Sequence, residues 1–313
     1  MRNNGYKKRL LYAFFFLFLI NAYAQQDMRY SQYMLNKNVI NPAFSAHQSE
    51  TTSTALYKKR WLRLTQANSY QLAISSPISQ NRMGVGGVIK RDDFNGLKRT
   101  SFLVSYSYKI NALKGKLSLG MQAGMSQFNL NPDEFTVRHD DDPILNGDVN
   151  RTTPTISGGI FYQKQSFYIG LSMHHLTQND ISFVENDRLS RLKTHNYLLA
   201  AYKVVLGTNL HWIPSILIKH VNQGSEQIDI NSHIRWRELM WGGISIRTSS
   251  ELSFQGGIQW NKIRAGYAYD IGWNTLGKNN NGIHEILISY RLKKNPSIEK
   301  LKEKREVISP IIF

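Results

Sequence analysis

Between Gln227 and Leu292 the chain alternates between a face that suits lipid and a face that suits water. Ile228, Ile230, Ile234 and Trp236 point one way, and Gln227, Asp229, Asn231, His233, Arg235 and Arg237 point the other. Next, Leu252, Phe254, Ile258 and Trp260 oppose Glu251, Ser253, Gln255, Gln259 and Asn261. Ile263, Ala265, Tyr267, Tyr269, Ile271 and Trp273 then oppose Lys262, Arg264, Gly266, Ala268 and Asp270. A period of two residues is the period of a β-strand. Successive strands of about ten residues, with aromatics near their ends, suit a sheet closed into a transmembrane barrel.

The same reading along the whole chain predicts an all-β protein, an antiparallel transmembrane β-barrel of about fourteen strands. The strands fall at 51–62, 68–76, 83–90, 100–110, 116–128, 153–163, 166–176, 192–206, 209–221, 226–237, 239–248, 251–261, 262–273 and 283–292. The first is interrupted by Lys58-Lys59-Arg60, glycines dilute the third, and the eighth is apolar on both faces around Leu198 to Ala201. Connections alternate between tight turns (164–165, 207–208, near 238, 261–262) and longer polar loops (129–152, 177–191, 222–225, 274–282). Short turns belong on the periplasmic side of such a barrel and long loops outside, so both ends of the barrel sequence are expected in the periplasm. A soluble β-sandwich would alternate too. It has no need for Trp260, Tyr267, Tyr269 and Trp273 on its apolar face, nor for alternating loop lengths.

The beginning of the chain supports export. Arg2, Lys7, Lys8 and Arg9 precede an uncharged apolar run from Leu11 to Ile20, and Ala22-Tyr23-Ala24 has the small-x-small form of a cleavage site. Residues 1–24 therefore read as a signal peptide cleaved after Ala24. The run is too short to span a bilayer as a helix. Cleavage takes the net charge from +17 to +13, still basic. No nucleic-acid-binding module accompanies that charge, and an exported protein has little access to nucleic acid, so anionic headgroups of outer-membrane lipid are the simpler partner. The chain has no cysteine, which excludes disulfides and thiolate chemistry. A mean hydropathy of −0.39 fits a barrel, where only one face of each strand meets lipid.

Residues 25–50 lie between leader and barrel. The stretch DMRYSQYMLNKNVINPAFS is polar, Asn-rich and aromatic, with neither strand alternation nor a sustained helical stripe. Tyr30, Tyr33, Met34 and Phe44 are large apolar groups whose burial stabilises by roughly 1.5–3 kcal/mol each. Gln32, Tyr33, Asn41 and Phe44 are accordingly expected to pack into the periplasmic mouth of the barrel, with Asn41-Pro42 fixing the turn into the first strand.

This segment also resembles the opening of the PorP/SprF family of type IX secretion outer-membrane proteins in Bacteroidetes. The matching residues are Tyr30-Ser31-Gln32-Tyr33-Met34 with Asn36, then Ile40-Asn41-Pro42-Ala43-Phe44. Arg60-Trp61, Ser76-Pro77-Ile78, the Gly-rich Met83-Gly84-Val85-Gly86-Gly87 and the terminal His284-Glu285-Ile286-Leu287-Ile288-Ser289-Tyr290 are similar to later family elements. The basic stretch after Lys58 and the tail at 293–313 depart from the family pattern. The resemblance implies a non-enzymatic part in secretion or surface attachment of adhesin-like cargo, and in gliding where gliding occurs. It implies other type IX components and the exported adhesin as partners, and no cofactor.

Candidate chemistry is otherwise sparse. Asp140-Asp141-Asp142 lacks the spacing of a calcium loop. His174 and His175 are adjacent on a strand, so parity places their rings on opposite faces and they share no metal. No G-x-S-x-G elbow is present, and the glycines at 84–87 precede no helix. By parity, Lys109, Lys116, Lys219, His233, Arg235, Arg237, Arg247, Lys262, Arg264 and Arg291 face the lumen, as do Asp229, Glu251, Asp270 and Glu285. A basic lumen leaves a second reading open, a passive porin that favours anions. The alternative is that these charges pair and fill the interior. The tail (293–313) mixes charges, with Ile298 and Leu301 on one side of a possible short helix. It is either a solvated periplasmic tail or a contact for a peptidoglycan-associated protein.

Overall fold

The computed structural model describes residues 27–62, 66–78, 82–131, 149–181, 191–222, 224, 226–272 and 280–292. The leader, the acidic run at 140–142, Trp273 and the tail lie outside the described residues. Three short 3-10 turns, Tyr33–Leu35, Lys37–Val39 and Pro42–His47, precede the sheet. The strands follow as β1 (Thr51–Leu62), β2 (Gln66–Ile78), β3 (Met83–Phe94), β4 (Leu97–Ala112), β5 (Gly115–Leu130), β6 (Val149–Lys164) and β7 (Phe167–His174). Then come β8 (His195–Tyr202), β9 (Val204–Val205), β10 (Leu210–Val221), β11 (Gln227–Trp236), β12 (Met240–Arg247), β13 (Glu251–Trp260), β14 (Ile263–Gly272) and β15 (Asn280–Leu292).

Apart from the short β9, each strand pairs antiparallel with the strands before and after it, and β1 pairs with β15 from Thr51↔Leu292 to Leu62↔Asn280. That last ladder closes the sheet and leaves no edge, the condition for a sheet in lipid. The two-residue β9 continues β8 beyond Lys203 and pairs with the same strand, β10. The barrel therefore has fourteen staves, as the alternation predicts.

The wall is inverted relative to a soluble protein. In β4, Phe102, Val104, Tyr106, Tyr108 and Ile110 are exposed, while Ser101, Ser105 and Ser107 are buried. Ser101 and Ser126 hydrogen-bond across the inner face of β4 and β5 at 2.8 Å. Short connections after β2, β4, β6, β11 and β13 gather at one end, here the turn end. Several turn on residues with positive φ, such as Leu113 and Lys114 (51° and 60°), as two-residue hairpins require. All the longer connections gather at the opposite, loop end, which also has the tight Asn95-Gly96 turn. Exposed Tyr108, Tyr202, Trp212, Trp236 and Trp260 ring the turn end, in the manner of an interfacial aromatic girdle.

Two irregularities in the sequence pattern find their cause inside the barrel. The Lys58-Lys59-Arg60 run does not interrupt β1, because buried Lys58 reaches Asp270 and Glu285, each at 3.3 Å. The apolar inner face of β8 comes from Leu199 and Ala201, which join Ile213 and Leu217 of β10 in the core.

Candidate functional site: the segment inside the lumen

The core of this molecule is the meeting of the lead-in segment with the barrel wall. Tyr30, Tyr33, Met34, Leu35, Ile40, Ala43 and Phe44 cluster with inward residues from β1, β6, β7, β8, β10, β12 and β15. Phe44 packs edge-on against Phe161 at 5.2 Å, and the Lys37 ammonium lies 4.7 Å from the Phe44 ring and 5.0 Å from that of Tyr168. Apolar burial in a polar-walled lumen holds the segment where water would otherwise be.

The segment is not confined to the periplasmic mouth, and this corrects the sequence expectation. Arg29 bonds Gln227 at 2.6 Å and Ser249 at 2.8 Å, at the loop end of β11 and in the β12–β13 connection. At the other extreme, Lys109 near the turn end of β4 donates to the Ala46 carbonyl at 2.6 Å, and His47 meets Gln163 at 3.2 Å. Residues 27–47 thus run the length of the lumen. The reason is that inward partners for the segment are spread along the whole wall rather than gathered at one rim.

Polar contacts fix its register. The Glu285 carboxylate accepts the backbone N–H groups of Ser31 and Gln32, both at 2.8 Å, and Gln32 Nε2 returns a bond to the Glu285 carbonyl at 3.2 Å. Ser31 donates to Asp270. Tyr33 is hydrogen-bonded to Asn231. Asn41 accepts from Ala43 N at 2.9 Å, capping the turn that Pro42 begins, and donates to the carbonyls of Ile160 (2.9 Å) and Leu171 (3.0 Å) on the wall. Two wall glycines make the approach possible: a Cβ at Gly84 would overlap the Ser45 backbone, and one at Gly120 the Ala43 backbone.

The lumen carboxylates pair with Lys58 and Arg247, while other inward basic groups meet neutral or turn residues. Arg247 bonds Asp229 at 2.9 Å and Glu251 at 2.7 Å, and Glu251 also receives Arg29 at 3.3 Å. Arg235 is buried and reaches Glu238 at 3.1 Å, Arg264 is held by Gln259 at 2.7 Å, and buried His233 meets Gln255 at 3.2 Å. Buried Lys219 lies 5.8 Å from the Tyr197 ring. Arg237 is a correction. Strand β11 ends at Trp236, so parity does not extend to Arg237, which sits exposed in the turn at φ 49° with its guanidinium 4.8 Å from the Trp236 ring. Lys116 is likewise exposed, at the strand end beside the β4–β5 turn, and Lys262 belongs to the β13–β14 turn.

The loop end holds a group that parity missed. His174 and His175 are both buried inside, because His175 adopts φ 57° and breaks the strand alternation. His175 Nε2 and His195 Nδ1 lie 2.9 and 3.1 Å from Asp27 Oδ2, and Arg99 pairs with Asp27 Oδ1. Burial alone would raise the Asp27 carboxyl; Arg99, with the two imidazoles and Lys90, outweighs it and holds the group well below the usual carboxylate range. Nothing in residue order links these positions. The excess basicity at Lys58 was a sequence signal of buried carboxylate partners.

The profile of the family described as type IX secretion system membrane protein PorP/SprF matches residues 22–290. The chain belongs to the PorP/SprF family. Among functionally curated proteins, nothing matches. Solved structures resemble this PorP/SprF protein in fold. A monoaromatic hydrocarbon channel, a TodX mutant lacking S2 and S3, covers 84% of this chain and 94% of its own at 10% identity, with a TM-score of 0.51. A Pseudomonas aeruginosa FadL homologue covers 80% and 92% at 11% identity, with a TM-score of 0.46. The Acinetobacter baumannii outer-membrane protein Omp33 covers 78% and 98% at 6% identity, also with a TM-score of 0.46. Family and fold together make this an outer-membrane β-barrel of the type IX secretion system.

Proposed function

We propose that this PorP/SprF barrel is a non-enzymatic component that supports secretion or surface attachment of adhesin-like cargo, with its lead-in segment as a built-in plug and platform. The observation that carries the reading is the segment itself. A passive pore has no use for some twenty residues of its own chain packed along its lumen, tied to the wall by Glu285, Asp270 and Asn231. Of the charges that suggested an anion-favouring pore, Arg247 is engaged by Asp229 and Glu251, and Glu251 also receives Arg29 of the segment. With the leader removed after Ala24 and the turns periplasmic, the upstream end of the plug faces the cell surface and its downstream end the periplasm. The exposed turn end then meets other type IX components, and the tail at 293–313 contacts a peptidoglycan-associated protein. Deleting residues 27–44 while keeping the leader tests this. The barrel is expected to insert, to lose cargo display and to conduct small solutes in planar bilayers. Normal display with unchanged permeability would reduce the segment to a linker. Large steady conductance from the intact protein would favour the porin.

A further inference from the structure

We propose that Asp27, His175 and His195 form a site for a zinc-class divalent metal that latches the upstream end of the plug to the barrel wall. The site joins three separate pieces of chain: the start of the described lead-in segment, the residue after β7 and the first residue of β8. Asp27 Oδ2 stands 2.9 Å from His175 Nε2 and 3.1 Å from His195 Nδ1, and one ligand atom from each residue lies within 4.8 Å of the other two. Zinc bonds of about 2.0–2.2 Å in a tetrahedron require ligand atoms about 3.3–3.5 Å apart. The two Asp27–histidine separations need to open by only a few tenths of an ångström to admit the ion.

Two further features point to a ligand. His195 is completely buried; its Nδ1 faces the Asp27 carboxylate at 3.1 Å, and its Nε2 makes no hydrogen bond among the described residues. A buried imidazole that is only partly satisfied is costly unless something else meets it. His175 has the opposite arrangement: its Nδ1 faces the Thr155 hydroxyl at 3.0 Å. With Nδ1–H donating to Thr155, the Nε2 lone pair is aimed at the site, the outer-shell support usual for metal-bound histidine. Two imidazoles and one carboxylate select a borderline metal such as Zn²⁺, Co²⁺ or Ni²⁺ over Ca²⁺, with a fourth position open to water.

Arg99 is the built-in competitor. Its Nη1 pairs with Asp27 Oδ1 and its Nη2 lies 3.3 Å from His175 Nε2, so the guanidinium supplies the positive charge when no metal is bound. Metal binding requires Nη2 to leave His175. The guanidinium already lies 5.2 Å from the Phe128 ring and has that face to retain. The latch departs from the absence of a metal that strand parity suggested, and it stands independently of the secretion reading.

The test uses the full-length barrel purified in detergent and titrated with Co²⁺ alone, with folding checked by heat-modifiable migration on gels. One equivalent of Co²⁺ should give a four-coordinate d–d absorption band that Zn²⁺ abolishes. His175→Ala and His195→Gln should each lose the band, Thr155→Val should weaken binding by about tenfold or more, and Arg99→Gln should tighten it. Absence of the band in the unmodified protein overturns the proposal, as does a band that survives both histidine changes. If either histidine variant fails to fold, Thr155→Val and Arg99→Gln decide: unchanged affinity in both also overturns it.

Discussion

The wall and the plug of this barrel are stabilised by opposite kinds of contact. A wall strand is held by partners a hairpin away: β4 pairs with β5 from Leu97↔Leu130 to Ala112↔Gly115. The plug has no such neighbour. Ser31 and Gln32 meet Glu285 across more than 250 residues, and Asn41 meets Ile160 across 119. A repeating local pattern builds the first, while single, non-repeating pairs build the second. The backbone ladders of the wall therefore depend on no single inward side chain, whereas the plug depends on a few.

The largest separation of the two is expected from Gly120→Leu. The β4–β5 and β5–β6 ladders need no side chain there, but even a Cβ collides with the Ala43 backbone. The barrel should keep its heat-modifiable migration while the plug is expelled. Trypsin should then cut after Lys37, which is 1% exposed in the intact protein. Retained protection at Lys37 would show that the wall yields instead.

Glu285→Ala comes next. It strips two plug N–H groups of their acceptor and removes one of the two carboxylates that hold Lys58. Lys58 keeps Asp270, so the cost is that of two buried N–H groups left without an acceptor, about 1–3 kcal/mol each. The plug should become trypsin-sensitive and the denaturant midpoint of the barrel in detergent should fall.

Asn41→Ala is smaller. Two wall carbonyls lose their donor and the Pro42 turn loses its cap. Unsatisfied buried groups cost about 1–3 kcal/mol. Cleavage at Lys37 should accelerate by about tenfold to a hundredfold where local opening limits it.

These magnitudes track what was legible in the sequence. The wall could be read because its rule has a period: Phe102 to Ile110 outside and Ser101 to Ser107 inside follow from parity alone. The burial of Tyr33 and Phe44 was also legible, since they are too apolar for a solvated stretch. Their depth was not, because nothing local tells Arg29 that Gln227 and Ser249 await it at the loop end. Parity failed where the backbone left the strand. His175 turned inward through a positive φ, and Arg237 fell just past the end of β11. The two-sided apolar β8 and the basic Lys58 run, which looked like blemishes, were the wall's complement to the plug.

Arg237→Ala is the smallest effect and sharpens that lesson. An exposed turn residue should change stability by no more than about 0.5 kcal/mol. Ion selectivity of a plug-deleted barrel should be unchanged by it. A selectivity shift would return Arg237 to the lumen.

The most direct measurement exploits the absence of native cysteine. Two pairs are introduced in separate full-length chains, Ser31→Cys with Asp270→Cys in the loop-end half of the lumen, and Ser45→Cys with Ser105→Cys toward the turn end. The native hydroxyl of Ser31 lies 2.6 Å from Asp270, and those of Ser45 and Ser105 are 3.5 Å apart. Oxidation in isolated outer membranes should cross-link both pairs, seen as a mobility shift on non-reducing gels, if the segment runs the length of the lumen. Cross-linking of the Ser45/Ser105 pair alone would confine the segment to the turn-end mouth and contradict the account.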